Sequence, residues 1–511
     1  MAIVNQLPSA ADGRRRLRLA SPVDEEPVGE LDVSTKNDVD DAILRARAAQ
    51  VAWAERPIKE RAAIVRSAVD QVVARREEII ETLQAETGKP RAEALTIEIV
   101  PACDFLNHWS RRAHRVLQDE RRAVHGYIRP LKKLRIHYQP LGVVGVITPW
   151  NAPFVLSLNP VAQALLAGNA VVLKPSEMTP RSAEWAVRIL HAAGVPEDLV
   201  QVVHGDGETG AALVDGDVDK ISFTGSVGTG RSIAARAGER LVPCTLELGG
   251  KDAMIVCADA DLERAANGAV YLSMFNTGQV CLSVERIYVA DQVAEEFTRL
   301  VREKAAAVTC GSGDTDMGPL FSDTQLDIVD KHVRDAEEKG ATIAVGGKRA
   351  SEKGLYFQPT VVLDARPDMD IMREETFGPV VAIMRVRDDE EAIRRANDSD
   401  FGLGGSVFTR SAAKAAAIAK RLKTGSVVHN DAAVIYGVAE APFGGRKDSG
   451  VGQVNGVDSL RGFTHPQPLL LSRWPLKKEN VWYPYTAAVA RNLDAVVRYG
   501  FGNRIMRWFL S

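Results

Sequence analysis

The sequence contains little cysteine and carries almost no net charge. Its five cysteines are an odd number without Cys-x-x-Cys spacing, which argues against a disulfide framework and against a zinc site. The nine histidines show no ligand spacing either, so we expect no metal. With 64 basic against 67 acidic residues, no global field would attract nucleic acid.

Long hydrophobic runs are also missing from the chain. No segment approaches the roughly 20 apolar residues that a membrane-spanning helix needs, and the basic cluster Arg14–Arg16 has no apolar stretch of signal-peptide length beside it. We therefore expect a cytoplasmic protein. The 511 residues, 45% of them hydrophobic and 26% charged, are enough for about three globular domains.

The middle of the chain alternates short apolar runs with helical patterns. Between Leu141 and Gly250, runs rich in valine and isoleucine predict strands, and amphipathic segments follow them. This alternation predicts an α/β fold with a parallel, doubly wound, Rossmann-like sheet. After Gly250 the alternation restarts and predicts a second α/β domain, which contains Cys281. Upstream, residues 34–54 and 58–87 read as amphipathic helices that begin near Ser34 and cover one face of the sheet.

A cysteine and a glutamate give the first chemical hypothesis. Cys281 lies in the run Phe275–Ser283, 34 residues after Glu247. A thiol and a carboxylate are the two groups that form and then hydrolyse a covalent acyl intermediate. Without its neighbours, such a cysteine is more often a small buried hydrophobe than a nucleophile.

The segment Gly225–Gly230 follows a predicted strand and opens a predicted helix. Its backbone N–H groups and the helix N-terminus can face a pyrophosphate, although its glycine spacing differs from the usual dinucleotide fingerprint. Glu177 follows another predicted strand, where an acid can accept both ribose hydroxyls. Its alternative role is a helix N-terminal carboxylate before Pro180.

Several motifs in one order resemble those of the aldehyde dehydrogenase superfamily. The resemblance extends from Ser34 to Leu471, with departures from the usual pattern at Ala253 and Arg446. The motifs besides the Cys281 run and Leu246–Lys251 are Thr148–Asn151, Lys174–Glu177, Phe223–Gly230 and Pro442–Gly450.

The resemblance implies a dinucleotide cofactor. A carboxylate at Glu177 would repel a 2′-phosphate, which favours NAD, with NADP as the alternative because Lys174 and Ser176 can accommodate the phosphate. Of the acidic pair Glu374 and Glu375, we expect only one to face the cofactor, because burying both is costly. The implied cofactor-binding residues are Thr148, Pro149, Trp150, Lys174, Ser176, Glu177, Gly225, Ser226, Gly230, Leu248, Glu375 and Phe377.

The resemblance also implies roles in catalysis. Cys281 would attack an aldehyde, Asn151 would donate an amide N–H to the oxyanion, and Glu247 would activate the water that hydrolyses the thioester. Relatives that transfer the acyl group to coenzyme A generally lack this glutamate, so its presence favours the hydrolytic reaction. The product would be a carboxylic acid.

The substrate is predicted to be an uncharged aliphatic aldehyde of medium or long chain, or an aromatic aldehyde. No arginine or lysine flanks Cys281 or follows Asn151, which disfavours succinate semialdehyde as the alternative substrate. Asp431 or Glu440 could receive an amino-aldehyde, but each is more often a solvated loop charge. A catalytically silent nucleotide-binding scaffold is the alternative from another class. The expected pocket residues are Phe154, Val155, Leu156, Asn159, Val280, Leu282, Phe443 and the loop Asp431–Tyr436.

The motifs divide the chain into four parts. Two segments that fit neither α/β domain read as paired edge strands, and the resemblance implies that they form a small β oligomerisation arm of a dimer or a dimer of dimers. The predicted parts are the NAD(P)-binding domain, residues 1–122 and 141–247; the catalytic domain, 248–462; the arm, 123–140 and 463–472; and a C-terminal extension, 473–511.

The extension is basic and aromatic. It carries seven basic residues against two acidic ones, and we predict helices over residues 487–499 and 503–510. An apolar stripe at Val489, Leu493 and Val496 most often packs on the subunit or a partner. The alternative is a peripheral membrane contact, in which this stripe and the aromatic residues lie in lipid.

Overall fold

The computed structural model describes residues 4–7, 14–432, 434–474, 477–479 and 481–510. Of residues 5–7, 127, 509 and 510 only the backbone is described. Parts of three predictions therefore lie outside the described residues. They are the first residues of the cofactor domain, position 433 of the pocket loop, and positions 475, 476, 480 and 511 of the extension.

The strands are short, as expected for an α/β chain with many crossovers. In chain order β1 to β19 are Val4–Leu7, Arg16–Ala20, Pro27–Asp32, Glu120–Arg122, Lys132–Pro140, Val143–Ile147, Ala170–Lys174, Val200–Val202, Lys220–Thr224, Cys244–Glu247, Asp252–Val256, Val284–Ala290, Thr342–Val345, Thr360–Leu363, Val380–Val386, Gly405–Phe408, Val428–His429, Gly450–Val451 and Thr464–Ser472.

The helices separate most of these strands. In chain order α1 to α18 are Lys36–Glu55, Ile58–Ala74, Arg76–Thr87, Arg91–Glu93, Val100–Val116, Pro153–Ala167, Pro180–Ala192, Gly207–Asp215, Val227–Glu239, Leu262–Met274, Ala294–Ala307, Asp323–Glu338, Asp370–Arg373, Asp389–Asn397, Ala412–Ala419, Gly456–Arg461, Ala487–Ala495 and Arg504–Leu510. Two π-helices, Ala94–Ile99 and Val496–Phe501, continue the chain between α-helices.

The predicted doubly wound sheet is present as a six-stranded sheet in the order β18-β10-β9-β6-β7-β8. Its five central and flanking strands run parallel, and only β18 pairs antiparallel, at the β10 edge. Every residue of β6 and β7 is buried, as in parallel sheets that are covered on both faces. The carboxyl ends of these strands create a ligand-binding edge.

A second α/β sheet follows, also as predicted. Its seven strands have the order β13-β14-β15-β12-β11-β16-β17, and β13 alone pairs antiparallel. Cys281 lies three residues before β12, so the thiol is presented at the start of a central strand of this sheet. Mixed α/β architecture with two parallel sheets confirms the predicted fold class.

The two segments outside these domains pair with each other. Strands β5 and β19 form a long antiparallel ladder, from Pro140 opposite Thr464 to Lys132 opposite Ser472, and β4 adds to the other edge of β5. Strands β5 and β19 lie in the two segments predicted to form the arm, whereas β4 lies in the segment assigned to the cofactor domain, residues 1–122. The role of this three-stranded sheet in assembly stays a prediction.

Two local predictions were wrong. The helix predicted over residues 58–87 is two helices, α2 and α3, because the backbone leaves the helical region at Arg75. The first helix is capped by Thr35 rather than Ser34. The Thr35 hydroxyl accepts from the Asp38 backbone N–H, and the Asp38 carboxylate accepts from the Thr35 backbone N–H, which is a capping box.

Candidate active site

A cleft lies at the carboxyl ends of the parallel strands β6, β7 and β9. Its volume is about 450 Å³, within the range of ligand pockets. It contains the turn after β6, the turn after β7 and the start of α9. The predicted cofactor residues that line it are Thr148, Pro149, Trp150, Lys174, Ser176, Glu177, Gly225 and Ser226.

The cleft has the groups that a dinucleotide requires. Ser226 caps α9 by accepting a hydrogen bond from the Thr229 backbone at 3.4 Å, so the remaining N–H groups of the first turn face the cleft. Lys174 Nζ lies 3.3 Å from Glu177 Oε2. A Cβ at Gly230 would lie 2.4 Å from Leu248, so only glycine lets α9 approach this loop. A helix N-terminus for a pyrophosphate and an acid for a ribose therefore fit a nicotinamide dinucleotide.

Glu375 and Phe377 lie beside this cleft rather than in its lining. Glu375 Oε1 accepts a hydrogen bond from the Gly250 backbone at 2.8 Å, whereas Glu374 is exposed. Burial, and then the charge of Glu285, raises the pKa of Glu375 to about 8. The Phe377 ring contacts the Trp150 ring edge-on with centroids 5.4 Å apart. The two motifs therefore meet through their aromatic rings.

The loop that presents the thiol is strained and buried. Asn276 and Thr277 have left-handed backbone angles, φ 53° and 58°, which are unusual for residues other than glycine. The Asn276 N–H donates to the Glu93 carboxyl at 2.6 Å, and the Thr277 hydroxyl donates to the Gly318 carbonyl at 3.0 Å. These contacts hold the backbone of the loop that leads to Cys281.

The Cys281 thiol and the Glu247 carboxyl influence each other directly. Burial and, to a smaller extent, the charge of Asp252 raise the pKa of Glu247 to about 8, although a hydrogen bond with Cys281 opposes the shift. Burial, and then the charge of Glu247, raises the pKa of Cys281 well above its usual range. Because each ionised group disfavours ionisation of the other, the two groups titrate as a coupled pair and both are held toward their neutral forms.

Glu247 also borders a small cavity of about 10 Å³, with Tyr436 and Gln453 in its wall. This volume is at the lower limit of the space that one water molecule needs. Glu247 Oε1 is buried and makes no hydrogen bond within the described part of the chain. A buried carboxylate oxygen of this kind is available to a water molecule.

Asn151 lies next to the thiol loop. Its Nδ2 donates to the Gln279 carbonyl at 3.0 Å, two residues before Cys281. An amide nitrogen carries two hydrogens, so a second N–H remains for a substrate oxygen. The structure therefore brings the three residues together from distant parts of the chain. Asn151 follows β6, Glu247 is the last residue of β10, and Cys281 precedes β12.

A buried ion pair that the sequence did not reveal supports Asn151. Lys89 Nζ lies 3.0 Å from Glu98 Oε1 and donates to the Asn151 backbone carbonyl at 3.0 Å. The other oxygen of Glu98 accepts from the Val155 backbone at 2.9 Å. Both side chains are buried. The motif Gly88-Lys89-Pro90 reads only as a helix stop, and Glu98 lies in a π-helix, so neither carried a signal of this role.

A largely apolar cavity of about 320 Å³ leads to the thiol. Of the predicted pocket residues, Val155, Leu156, Val280, Leu282 and the described part of the 431–436 loop line it, except Ile435. No arginine or lysine of the described chain lines it. The wall residues that the sequence did not indicate are Thr96, Ile97, Pro101, Ala152, Tyr271, Leu272, Phe275 and Gly437.

Three predicted pocket residues lie elsewhere. Phe154 is fully buried, because α6 directs its side chain into the hydrophobic core of the first domain. Phe443 is fully buried against Leu282 and Leu403, behind the lining. Asn159 accepts from the Trp109 indole at 3.1 Å and borders the small cavity at Glu247. For these three residues the predicted place in the pocket is wrong.

The two acids considered for an amino-aldehyde differ in position. Asp431 lines the cavity, but its side chain is half exposed and lies 3.9 Å from Arg264. Glu440 lies 3.4 Å from His108 and is not part of the lining. Neither is a buried acid that faces the thiol.

Comparison with known proteins supports the same chemistry. The model of the aldehyde dehydrogenase family matches residues 9–468. The 4,4'-diapolycopene aldehyde oxidase of Methylomonas sp is 39% identical over 487 residues, which are 95% of this chain and 91% of that protein. A protein of Mycobacterium tuberculosis strain H37Rv, named as a putative NADP(+) succinate-semialdehyde dehydrogenase, is 41% identical over 453 residues, 88% of this chain and 87% of that protein.

Solved structures agree with the observed fold. The aldehyde dehydrogenase of Mycobacterium tuberculosis complexed with NAD+ has a TM-score of 0.86 at 36% identity, covering 92% of this chain and 96% of that one. The NAD+ complex of the Bacillus cereus enzyme has a TM-score of 0.86 at 34% identity, covering 92% and 97%. The predicted resemblance is confirmed, and this chain belongs to the aldehyde dehydrogenase family of NAD(P)-dependent oxidoreductases.

Proposed function

We propose that the protein oxidises an uncharged, apolar aldehyde to the carboxylic acid by hydrolysis of a thioester on Cys281. The observation that supports this most directly is the convergence of Cys281, Glu247 and Asn151 at the end of an apolar cavity. A thiol alone can form an acyl intermediate, and a buried carboxylate beside it can complete the reaction with water.

The first step is addition of the thiol to the aldehyde. The Cys281 sulfur bonds to the carbonyl carbon, and the carbonyl oxygen becomes an oxyanion near the free N–H of Asn151. The thiol proton leaves to solvent, which reaches the half-buried Cys281, so Glu247 is not needed for this step and remains available for the later step with water. The backbone at Asn151 is held by Lys89, so the amide is positioned before the substrate arrives.

A nicotinamide dinucleotide held by the cleft at Lys174, Glu177 and Ser226 would supply the hydride acceptor that the oxidation of the tetrahedral adduct requires. The thioester that remains on Cys281 is then hydrolysed. Glu247 removes a proton from a water molecule and the hydroxide adds to the acyl carbon. The C–S bond then breaks to release the acid, and the proton held by Glu247 passes to the leaving sulfur, which restores the thiol and the carboxylate. The small cavity beside Glu247 supports this role, because it offers space of about one water.

The substrate is proposed to be an aliphatic aldehyde of medium or long chain, or an aromatic one. The cavity is apolar and presents no cation to the distal end of a substrate, whereas a semialdehyde carboxylate would need one. The relative named 4,4'-diapolycopene aldehyde oxidase is named for an aldehyde other than a semialdehyde. The relative named for succinate semialdehyde keeps that substrate as the second candidate.

A substrate panel tests this proposal. NADH formation by the purified protein is measured with aliphatic aldehydes of increasing length, an aromatic aldehyde and succinate semialdehyde, without coenzyme A. We expect kcat/KM to rise with apolar length and to be lowest for the semialdehyde, because each buried CH₂ contributes about 0.8 kcal/mol. A preference for the semialdehyde would contradict the proposed substrate class. No turnover at all would favour a silent scaffold.

The Glu177 carboxylate is expected to decide between the cofactors. Glu177→Gln keeps the shape of the side chain and removes the charge, which leaves Lys174 without its partner at 3.3 Å. The KM for NADP+ should fall on the order of tenfold while the KM for NAD+ rises, because repulsion of the 2′-phosphate is lost. Steady-state kinetics with both cofactors measure this, with Glu184→Gln on α7 as the charge-matched control. An unchanged ratio would exclude this role.

The buried pair Lys89 and Glu98 is expected to affect turnover separately from stability. Lys89→Met leaves a buried carboxylate unpaired and should lower the free energy of unfolding by about 3–5 kcal/mol. In Lys89→Met/Glu98→Gln the uncompensated charge is gone. The amide oxygen introduced at position 98 can still accept from the Val155 N–H, so the free energy of unfolding should largely recover. Turnover should stay on the order of 100-fold low, because the Asn151 carbonyl has lost its ammonium donor.

Denaturant unfolding and steady-state kinetics measure the two quantities independently. If the double variant recovered both stability and kcat, Lys89 would have a structural role only. A small change in KM beside the loss in kcat is part of the expected result, because the pair does not line the substrate cavity.

Assembly and compartment are part of the proposal. The β4, β5 and β19 sheet is proposed to extend the sheet of a second copy, because its edges offer backbone groups for pairing. A dimer or a dimer of dimers follows. A reducing compartment, the cytoplasm, suits a nucleophilic thiol and five cysteines that are all free. No helix of the described residues is long and apolar enough to span a bilayer.

A further inference from the structure

The C-terminal extension leaves a large aromatic and apolar surface uncovered. No residue of α17 or of the π-helix Val496–Phe501 is buried. Of the predicted stripe, Val489 and Val496 are half-buried, whereas Leu493 is exposed. Packing on the subunit therefore accounts for only part of the apolar side chains. The most exposed aromatic ones are Trp474, Trp482, Tyr483, Tyr485, Tyr499 and Trp508.

The extension nevertheless has a defined start and defined helices. The Arg473 N–H donates to the Leu131 carbonyl at 2.8 Å, and Lys132 Nζ lies 3.1 Å from Glu479, so the chain stays beside the arm. Thr486 caps α17, and Asn503 accepts from the first backbone N–H groups of the last helix. Exposed apolar side chains on capped helices form a surface and not an unfolded tail.

The charges around this surface are nearly all positive. The whole chain has a net charge of −3, but residues 473–511 hold seven basic residues and two acidic ones. Both acids are already paired, Glu479 with Lys132 and Asp494 with Arg498 at 3.3 Å. The basic residues at 491, 504 and 507 lie on the same helices as the exposed Leu493, Ile505 and Met506.

We propose that this extension, residues 473–511, docks the protein on an anionic lipid surface. Short amphipathic helices with exposed apolar residues, flanking arginines and many Trp and Tyr side chains suit the headgroup region of a bilayer. Self-association through this surface is disfavoured, because two identical copies would bring their basic residues together. No spanning helix is needed for such an interfacial contact.

The docking would bring the enzyme to its substrate. This step rests on the proposed function, since apolar aldehydes of medium or long chain dissolve in the bilayer and the cavity at Cys281 is apolar. The extension would then raise the supply of membrane-dissolved aldehydes and leave water-soluble ones unaffected. Turnover of membrane-dissolved and of water-soluble aldehydes can each be measured separately from lipid binding.

Vesicle binding tests the docking without any catalysis. The full-length protein is mixed with vesicles of equimolar phosphatidylcholine and phosphatidylglycerol, or of phosphatidylcholine alone, and the bound fraction is measured by flotation. We expect binding to the anionic vesicles that weakens with added salt. The triple variant Arg491→Gln/Arg504→Gln/Arg507→Gln should bind on the order of 100-fold more weakly.

A charge-matched control separates this surface from net charge. The variant Arg299→Gln/Lys331→Gln/Arg334→Gln removes three exposed cations from α11 and α12 and should bind like the unmodified protein. An equal loss of binding in this control would overturn the proposal, as would no binding by the unmodified protein. If the 491/504/507 variant altered only the oligomeric mass in sedimentation, the surface would belong to a second copy instead.

Kinetics with vesicles test the supply of substrate. With a long-chain aldehyde in anionic vesicles, the 491/504/507 variant should have a several-fold higher KM, while kcat/KM for a short soluble aldehyde stays unchanged. Binding without this difference would overturn the supply step and leave the docking in place. Failure of all aldehydes would instead reject the proposed function, and the flotation result would be unaffected.

Discussion

Cys281→Ala is expected to abolish NADH formation with every aldehyde, a loss on the order of 10⁴-fold or more in kcat. No other cysteine can take its place, because Cys257 is buried and the remaining three are not in the substrate cavity. The substitution removes one sulfur from a half-buried position, so the fold should persist. Initial rates of NADH formation at saturating NAD+ measure the loss in kcat.

Two controls make this result specific. Cys310→Ala, at a half-buried cysteine in another part of the second domain, should keep full activity. Fluorescence titration should show that Cys281→Ala still binds NAD+, because the cleft that contains Lys174 and Glu177 does not include the thiol. Substantial turnover by Cys281→Ala would contradict covalent catalysis at this residue.

Glu247→Gln is expected to stop the reaction after acylation. Removing a general base typically costs 10²–10⁴-fold, so steady-state turnover should fall by about that factor. One equivalent of NADH per active site should still form in a rapid burst, because hydride leaves before water is needed. Rapid mixing with an aldehyde and NAD+ separates the burst from the steady state.

The same residue sets the expected pH dependence. The pKa of Glu247 is raised to about 8, so its carboxylate form increases as the pH rises through about 8. Steady-state turnover of the unmodified enzyme, where hydrolysis limits it, should therefore rise over this interval. Glu247→Gln should lack this limb, because glutamine does not titrate. A rise of equal size in the variant would assign the titration to another group.

The fold was predictable because its signals are local and repeated. Valine-rich runs such as Val143–Ile147 followed by amphipathic segments identify parallel strands and helices wherever they occur. The break at Arg75 carried no glycine or proline, so periodicity alone joined α2 to α3. Ser34 and Thr35 are both residues that can cap a helix. The structure uses Thr35, because Ser34 instead accepts from the distant His204 backbone N–H, a tertiary contact that local sequence does not reveal.

The site was predictable only where motifs carry its chemistry. Cys281, Glu247 and Asn151 were indicated by motif order, and tertiary folding places them together from three distant segments. Lys89 and Glu98 were missed because a buried ion pair nine residues apart has no fixed spacing in sequence. The pocket residue Phe154 was misplaced because the direction of a helical side chain depends on packing, and α6 directs it into the core.

In the proposed mechanism Cys281 carries the acyl group and Glu247 releases it. Intact mass spectrometry of Glu247→Gln after incubation with an apolar aldehyde and NAD+, followed by peptide mapping, tests it most directly. We expect one added acyl group per subunit, located on the peptide that contains Cys281, and none without NAD+. An unmodified Cys281 in protein that has formed an equivalent of NADH would contradict the thioester mechanism.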